Sequence, residues 1–172
     1  RERIGYVPQK GVLFSGTIDS NIRYGKEDAT KEEVNRAAEI AQAQEFIGQK
    51  EKGMESEIAQ GGTNVSGGQK QRLSIARAIA KNPEIYIFDD SFSALDFKTD
   101  AALRKALKEE TEEATTLIVA QRISTILHAD RILVLDEGKV VGMGTHKELL
   151  QSCEVYQQIA RSQLSQEELD YE

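Results

Sequence analysis

Short apolar runs alternate with helical stretches in the second half of this sequence. The runs lie at residues 85–88, 117–120 and 132–135. Helical patterns follow at residues 98–110 and 145–150, and residues 138–142 read as a hairpin-like strand. Strands that alternate with helices are typical of a mostly parallel sheet covered by helices. The pattern therefore predicts an α/β fold.

The first half of the sequence adds one strand and two amphipathic helices to this prediction. The extended pattern of residues 1–12, interrupted by Pro8, predicts a strand that leads into a loop. Apolar positions at helical spacing behind Thr30 predict a single helix over residues 31–47. Apolar residues that share one face predict a further helix over residues 67–80, and Pro83 ends it.

Composition limits the class of protein and the kinds of partner. The 172 residues are 39% hydrophobic and 30% charged, which is the balance of a globular domain. The net charge of -7 and the lack of a basic block argue against a nucleic-acid partner. Cys153 is the single cysteine, which excludes an internal disulfide, and residues 165–172 read as a loose acidic tail.

Ser66-Gly67-Gly68-Gln69 opens the predicted helix over residues 67–80. The first amides of a helix have no acceptor within it, and the positive end of the helix dipole favours a phosphate there. The motif therefore indicates anion binding. An ordinary glycine-rich helix cap is the structural alternative.

Two acids, Asp89 and Asp90, end the apolar run over residues 85–88. Carboxylates at the end of a buried strand suit Mg²⁺, which neutralises phosphate charge during phosphoryl transfer. The structural alternative for Asp89 and Asp90 is that they are polar residues that end a strand. For Gln9, which follows Pro8, the structural alternative to metal binding is a polar residue that satisfies a turn. No G-x-x-x-x-G-K-S/T phosphate loop occurs in the sequence.

Taken in order, these motifs resemble the nucleotide-binding domain of ABC transporters. The similar segments are residues 6–9 (the glutamine loop), 65–69 (the signature motif), 85–89 (the Walker B strand) and 93–96 (the D-loop). Residues 13–18 resemble the exporter branch. The resemblance covers almost the whole chain and implies a P-loop NTPase-like ABC ATPase domain, with a mostly parallel sheet core and a helical subdomain.

The resemblance also implies an organisation and an environment for the chain. Residues 1–172 would form a partial ABC domain that is incomplete at its N-terminus. Residues 10–82 would hold the glutamine loop and helical subdomain, 83–152 the Walker B, D-loop and H-loop core, and 153–172 a C-terminal helix and tail. Transmembrane domains and a second nucleotide-binding domain are the implied partners, at the cytoplasmic face of the cell membrane.

The same resemblance implies ATP and Mg²⁺ as ligands and assigns a role to each motif residue. The implied roles are Asp90 and Gln121 in catalysis, Gln9, Ser66, Gly67, Gly68, Gln69 and Asp96 in ATP binding, and Asp89 with Gln9 in metal binding. Each ATP of this family lies between the Walker B side of one domain and the signature motif of the other. The chain is thus predicted to contribute to two unlike sites.

Two positions depart from the family pattern at the hydrolytic side. Asp90 stands where the family usually has a glutamate, and Gln121 stands where it has the switch histidine. Aspartate is one methylene shorter than glutamate, and glutamine cannot carry a proton. We therefore predict a slow site on this side and a heterodimer with a non-identical partner, with a homodimer as the alternative.

Other functional classes stay open at this stage. A soluble ABC-type ATPase of DNA repair or translation is one, and a non-catalytic or regulatory ABC module is another. The family's phosphate loop and a strand beside residues 85–88 are missing from this sequence. We therefore expect weak ATP binding by this chain alone and an open sheet edge at that strand.

Overall fold

The structure is a computed structural model that describes residues 2–165 and Leu169. The chain divides into two compact units, Arg1–Val119 and Ala120–Glu172. Each unit has a hydrophobic core of its own. The subdomain boundaries implied by the resemblance, near residues 82 and 152, stay a prediction.

The first unit contains the central sheet and most of the helices. Its strands are β1 Ile4–Val7, β2 Gly16–Thr17, β3 Glu57–Ile58, β4 Ile85–Asp89 and β5 Thr115–Val119. Its helices are α1 Ile18–Arg23, α2 Lys31–Ile40, α3 Gln44–Gly48, α4 Gly67–Ala80 and α5 Phe97–Glu110. Short 3₁₀ helices lie at Gly53–Glu55 and Gln60–Gly62. The predicted helix over residues 67–80 is confirmed.

Strands β1, β4 and β5 form a parallel sheet with β4 in the middle. Val7 and Phe88 are register partners on one face, and both are buried. On the other face Tyr6 is 54% exposed and Leu117 is 50% exposed. Because the carboxyl ends of parallel strands meet at one edge, the loop after β1 lies beside the loop after β4.

The position of β4 corrects one expectation. The sequence predicts a missing neighbour beside residues 85–88, but β4 has β1 on one side and β5 on the other. Among the described residues, the edges of this sheet belong to β1 and β5. The long crossover from β1 to β4 and the α5 crossover to β5 each bring a parallel partner to β4.

The predicted single helix over residues 31–47 is wrong, since the chain forms α2 and α3 with a break between them. Gln42 in the break has φ of +56°, in the left-handed region. Its carbonyl accepts a hydrogen bond from Arg72 Nη1 at 2.7 Å. The residues around the break are ordinary helix formers, so helix propensity does not predict it. The break depends on tertiary contacts such as the bond from Arg72.

Helix α4 is the central helix of the first unit and packs against β1, α1 and α2. Its fully buried side chains include Leu73 and Ile75, which belong to the same core as Ile22 of α1 and Val34 of α2. A Cβ on Gly5 of β1 would lie 2.7 Å from Cγ of Pro83, just beyond α4. This close packing fixes α4 against the strand that leads to Gln9.

The second unit is a hairpin with two helices. Strands β6 Ile132–Asp136 and β7 Lys139–Gly144 pair antiparallel, followed by α6 His146–Ser152 and α7 Glu154–Gln163. Glu137 and Gly138 both have positive φ at the turn, as tight hairpins require. A short 3₁₀ helix lies at Ile123–Thr125. The strands and helices predicted for this region are confirmed, with bounds shifted by a few residues.

Among residues 2–165 and Leu169, the structure contains no helix that could span a membrane. The acidic tail predicted at residues 165–172 lies outside the described residues, except for Ser165 and Leu169.

Candidate active site

Asp89 is the last residue of β4 and is held by a hydrogen bond from the neighbouring strand. The hydroxyl of Tyr6 on β1 donates to Oδ2 of Asp89 at 3.1 Å. This hydrogen bond to the carboxylate is the main cause of a raised pKa at the Tyr6 phenol. Tyr6 is thus a site residue that the sequence analysis missed.

Asp90 follows β4 in a tight turn. Its φ is +44°, a left-handed conformation that aspartate adopts more readily than most residues. Its backbone N–H donates to the carbonyl of Val119, the last residue of β5, at 2.8 Å. Ser93 Oγ donates to the Asp90 carbonyl at 3.2 Å. The backbone of Asp90 is therefore fixed from both sides of the turn.

Gln9 reaches Asp90 from the loop after β1. Its Nε2 donates to Oδ2 of Asp90 at 3.3 Å, and its side chain is otherwise exposed. The structure thus brings together three of the predicted site residues, Gln9, Asp89 and Asp90, at one edge of the sheet.

The loop that carries Gln9 is anchored by a second residue that the sequence analysis missed. Gln71 on α4 is 2% exposed, and its amide bonds to the loop backbone at Pro8 and Gly11. Nothing in the local pattern identifies this residue, because its partners lie about 60 residues away in the sequence.

Ser66 is the N-cap of α4, and it forms a capping box with Gln69. The Ser66 hydroxyl accepts from the backbone N–H of Gln69 at 3.2 Å, and the Gln69 side-chain oxygen accepts from the backbone N–H of Ser66 at 3.1 Å. The structural alternative for this motif, a helix cap, is therefore present. The amides of Gly67 and Gly68 occupy the first two helical positions, which have no acceptor within a helix.

The two glycines of the motif differ in their surroundings. A Cβ on Gly67 would meet nothing within 4 Å, so this position faces open space. A Cβ on Gly68 would lie 3.2 Å from the carbonyl oxygen of Ala94. The tip of α4 thus rests on the loop that follows Asp90 and leaves Gly67 and Ser66 exposed.

Asp96 caps the next helix, α5. Its carboxylate accepts from the backbone N–H of Thr99 at 2.9 Å and from the Thr99 hydroxyl at 2.7 Å. The Thr99 side-chain bond, followed by the backbone bond, lowers the pKa of Asp96. The carboxylate is exposed, so this local role leaves it accessible at the surface.

Gln121 lies in the second unit, two residues after β5. Its side chain is exposed, and its backbone carbonyl accepts from Nε2 of Gln163 at 2.9 Å. The predicted catalytic role of Gln121 stays a prediction.

The donor set suits Mg²⁺ better than a transition metal. The part of the chain that the structure describes holds no group of three or more His, Cys, Asp or Glu side chains arranged for a metal ion. Mg²⁺ commonly takes one or two carboxylates and completes its shell with water and phosphate oxygens. The carboxylate of Asp89 and the amide oxygen of Gln9 are ligands that fit this kind of Mg²⁺ coordination.

A comparison with protein families establishes the family of this chain. The family model described as ABC transporter matches residues 1–93, a range that includes Gln9, Ser66 and both acids of β4 and its turn. The chain belongs to the ABC transporter family. The predicted family, exporter type and α/β fold are therefore confirmed, and the family is one of ATPases.

Individual ABC transporters are similar over nearly the whole chain. An uncharacterized ABC transporter ATP-binding protein of Mycobacterium tuberculosis is 47% identical over 163 residues, which are 93% of this chain and 28% of that protein. The probable multidrug resistance ABC transporter ATP-binding/permease protein YheI of Bacillus subtilis is 48% identical over 162 residues, or 94% of this chain and 28% of its own length.

A solved ABC exporter has the same fold. The structure of a bacterial Atm1-family ABC exporter with ATP bound matches with a TM-score of 0.91 and 40% identity, over 94% of this chain and 29% of that chain. The chain thus spans less than a third of the length of the ABC transporters that it matches.

Proposed function

We propose that this chain binds and hydrolyses ATP, with Mg²⁺, as part of an ABC exporter. The contact between Gln9 and Asp90 carries the proposal, because it joins the loop after β1 to the carboxylates at the end of β4. Ligands of open α/β sheets bind beyond the carboxyl ends of the strands. Acidic and amide side chains at that edge suit a nucleotide with its metal ion.

Each predicted residue of the hydrolytic side has a distinct role in the proposal. Asp89 and Gln9 hold Mg²⁺, which supplies positive charge to the phosphate oxygens when bound. Asp90 accepts a hydrogen bond from the attacking water and orients it. Gln121 offers a neutral hydrogen bond to the terminal phosphate, since a glutamine cannot be protonated near neutral pH.

The tip of α4 serves the ATP of a second nucleotide-binding domain. Ser66 and Gly67 are exposed at this tip, and the dipole of a helix of 14 residues favours an anion there. The Ser66 hydroxyl and the amides of the glycines contact the terminal phosphate in this proposal, and Asp96 also takes part in ATP binding. Dimer closure on ATP then moves attached transmembrane domains at the cytoplasmic face of the membrane.

The hydrolytic side of this chain is slower than the side it completes on its partner. The carboxylate of Asp90 is withdrawn by roughly 1 Å relative to a glutamate, which can cost on the order of a hundredfold in rate. Gln121 adds no positive charge. A pump with two such sites would turn over poorly, so we propose a heterodimer in which one site hydrolyses ATP and the other mainly holds it.

The double substitution Asp90→Glu with Gln121→His tests this function in the complete assembly. It restores both groups that the family uses, so steady-state ATP turnover is expected to rise, by up to about a hundredfold at the slow site. Hydrolysis is measured at saturating MgATP in lipid, with each single substitution beside the double one.

Asp90→Asn is the matched control, because it keeps the shape of the side chain and removes its charge. It is expected to abolish the residual hydrolysis at this site while the partner site continues. An unchanged turnover in the double variant would contradict the asymmetric mechanism.

The departures at Asp90 and Gln121 also favour a second candidate, a regulatory ABC module that binds nucleotide without hydrolysing it. An assembly that binds ATP and shows no hydrolysis, in the natural or the double-substituted form, would support this candidate over the exporter engine.

A further inference from the structure

Gln71 joins the loop after β1 to the middle of α4. Its side chain is 2% exposed, so its amide needs partners within the protein. The amide oxygen accepts from the backbone N–H of Gly11 at 2.9 Å, and the amide nitrogen donates to the carbonyl of Pro8 at 3.1 Å. The oxygen and the nitrogen of one side-chain amide thus bind the two ends of the loop segment over residues 8–11.

The loop also packs tightly on the helix at this point. A Cβ on Gly11 would lie 2.8 Å from Oγ of Ser74 and 2.9 Å from the carbonyl oxygen of Lys70. One turn further along, Nη1 of Arg77 donates to the carbonyl of Val12 at 2.9 Å. Positions 71, 74 and 77 are three residues apart and share one face of α4, so this face supports the whole segment.

Gln9 lies between the two anchored positions. Among the described residues, Gln71 bonds only to the backbone of the loop. The side chain of Gln9 is therefore available to the carboxylate of Asp90, to which it donates a hydrogen bond. The same helix begins at the capping box of Ser66 and Gln69. A single rigid element therefore connects the Gln9 loop with the exposed tip of α4.

We propose that Gln71 is a positioning residue that holds the loop after β1 on α4 and thereby fixes Gln9 relative to Asp90. This inference rests on the proposed function, because it assigns Gln71 a part in ATP hydrolysis.

A double-mutant cycle in the complete protein tests this role. Gln71→Leu removes both hydrogen bonds, and Gln9→Ala removes the group that they position. If Gln71 acts through Gln9, each single substitution lowers ATP turnover by about tenfold, and the double variant lies within about twofold of Gln9→Ala. Effects that multiply in the double variant would overturn the proposal.

Ser74→Ala is the matched control on the same face of α4. Ser74 is buried beside Gly11, and its hydroxyl has no hydrogen-bond partner among the described residues. Removal of this hydroxyl is expected to leave turnover within about twofold of the natural protein. If Gln71→Leu does not fold, Gln71→Asn replaces it, because the shorter amide cannot reach both loop positions.

Amide hydrogen exchange at Gly11 gives a readout that does not depend on ATP hydrolysis. Faster exchange of this amide in Gln71→Leu, with unchanged exchange in Ser74→Ala, is the expected result. Unchanged exchange in Gln71→Leu would overturn the inference. A natural protein that hydrolyses no ATP would instead contradict the proposed function, while the exchange result still reports on the anchoring of the loop.

Discussion

At the scale of single residues, the hydroxyl of Tyr6 is the group that orients the Asp89 carboxylate. Their hydrogen bond occupies one carboxylate oxygen and leaves the other able to bind a cation. Groups that hydrogen-bond to a metal ligand fix its orientation and contribute to metal affinity. In the proposed function, Tyr6 therefore acts on Mg²⁺ through Asp89.

Tyr6→Phe is expected to raise the Mg²⁺ concentration for half-maximal ATP hydrolysis by about tenfold, because it removes only the hydroxyl that orients Asp89. Hydrolysis is measured against Mg²⁺ concentration at saturating ATP, and thermal melting verifies the fold. Tyr24→Phe is the control, since Tyr24 is 65% exposed and its ring lies tilted against Phe14 at a centroid distance of 4.6 Å. Equal Mg²⁺ dependence of the two variants would refute the role of Tyr6.

The sequence identified the acids of the site but not the residues that hold them. Asp89 and Asp90 follow a strong apolar run, which is a local signal. That Tyr6 and Asp89 lie on the same face of the sheet can be inferred only when the pairing of β1 with β4 is known. Gln71 is a polar residue inside a helix, and its role depends on a loop that packs against it from far away in the chain.

At the scale of elements, α2 and α4 are two of the four helices among the described residues that begin with a capping box. Thr30 caps α2 in a box with Glu33, and Ser66 caps α4 in a box with Gln69. The two caps are locally alike, and only the second one is predicted to face a nucleotide. This pair separates the structural role of a cap from a role in ATP binding.

Ser66→Ala and Thr30→Ala are each expected to lower the free energy of unfolding by about 1 kcal/mol, which is the usual effect of losing such a cap. Only Ser66→Ala is expected to reduce ATP turnover in the complete assembly, since its hydroxyl serves the partner's nucleotide. Chemical denaturation and a turnover assay on both variants provide the comparison. A similar loss of turnover in Thr30→Ala would mean that the effect is one of stability alone.

Element boundaries were predictable where a local stop signal exists. A proline follows α4, and its predicted bounds agree with the structure. The break between α2 and α3 has no such signal, because it depends on the left-handed turn at Gln42 and its bond from Arg72. The central position of β4 likewise depends on which strands the crossovers bring together, which periodicity does not determine.

At the scale of the whole molecule, the proposed ATP sites need two chains. This chain presents the acids and Gln9 at one sheet edge, and its exposed α4 tip carries the glycine motif. In the proposal each ATP lies between the sheet edge of one domain and the α4 tip of the other, so each of these two surfaces is one half of a site. The proposed mechanism thus makes the assembly, rather than the single chain, the unit of hydrolysis.

Photo-crosslinking from the terminal phosphate is expected to label this chain at residues 66–69. An ATP analogue with a photoreactive group on its γ-phosphate is bound to the intact assembly, and the labelled peptides are sequenced by mass spectrometry. An ADP analogue with the group on its β-phosphate is the control and is expected to label this segment less. Failure to label residues 66–69 with the ATP analogue would exclude the shared site.

The backbone at Asp90 has an evolutionary consequence. A backbone with φ of +44° is adopted by Asp and Asn more readily than by most other residues with a side chain. Asparagine satisfies the same turn but cannot act as a base. The single exchange of Asp90 for asparagine would therefore remove the proposed base without straining the turn. ATP bound at such a site would hold the two domains together without being hydrolysed.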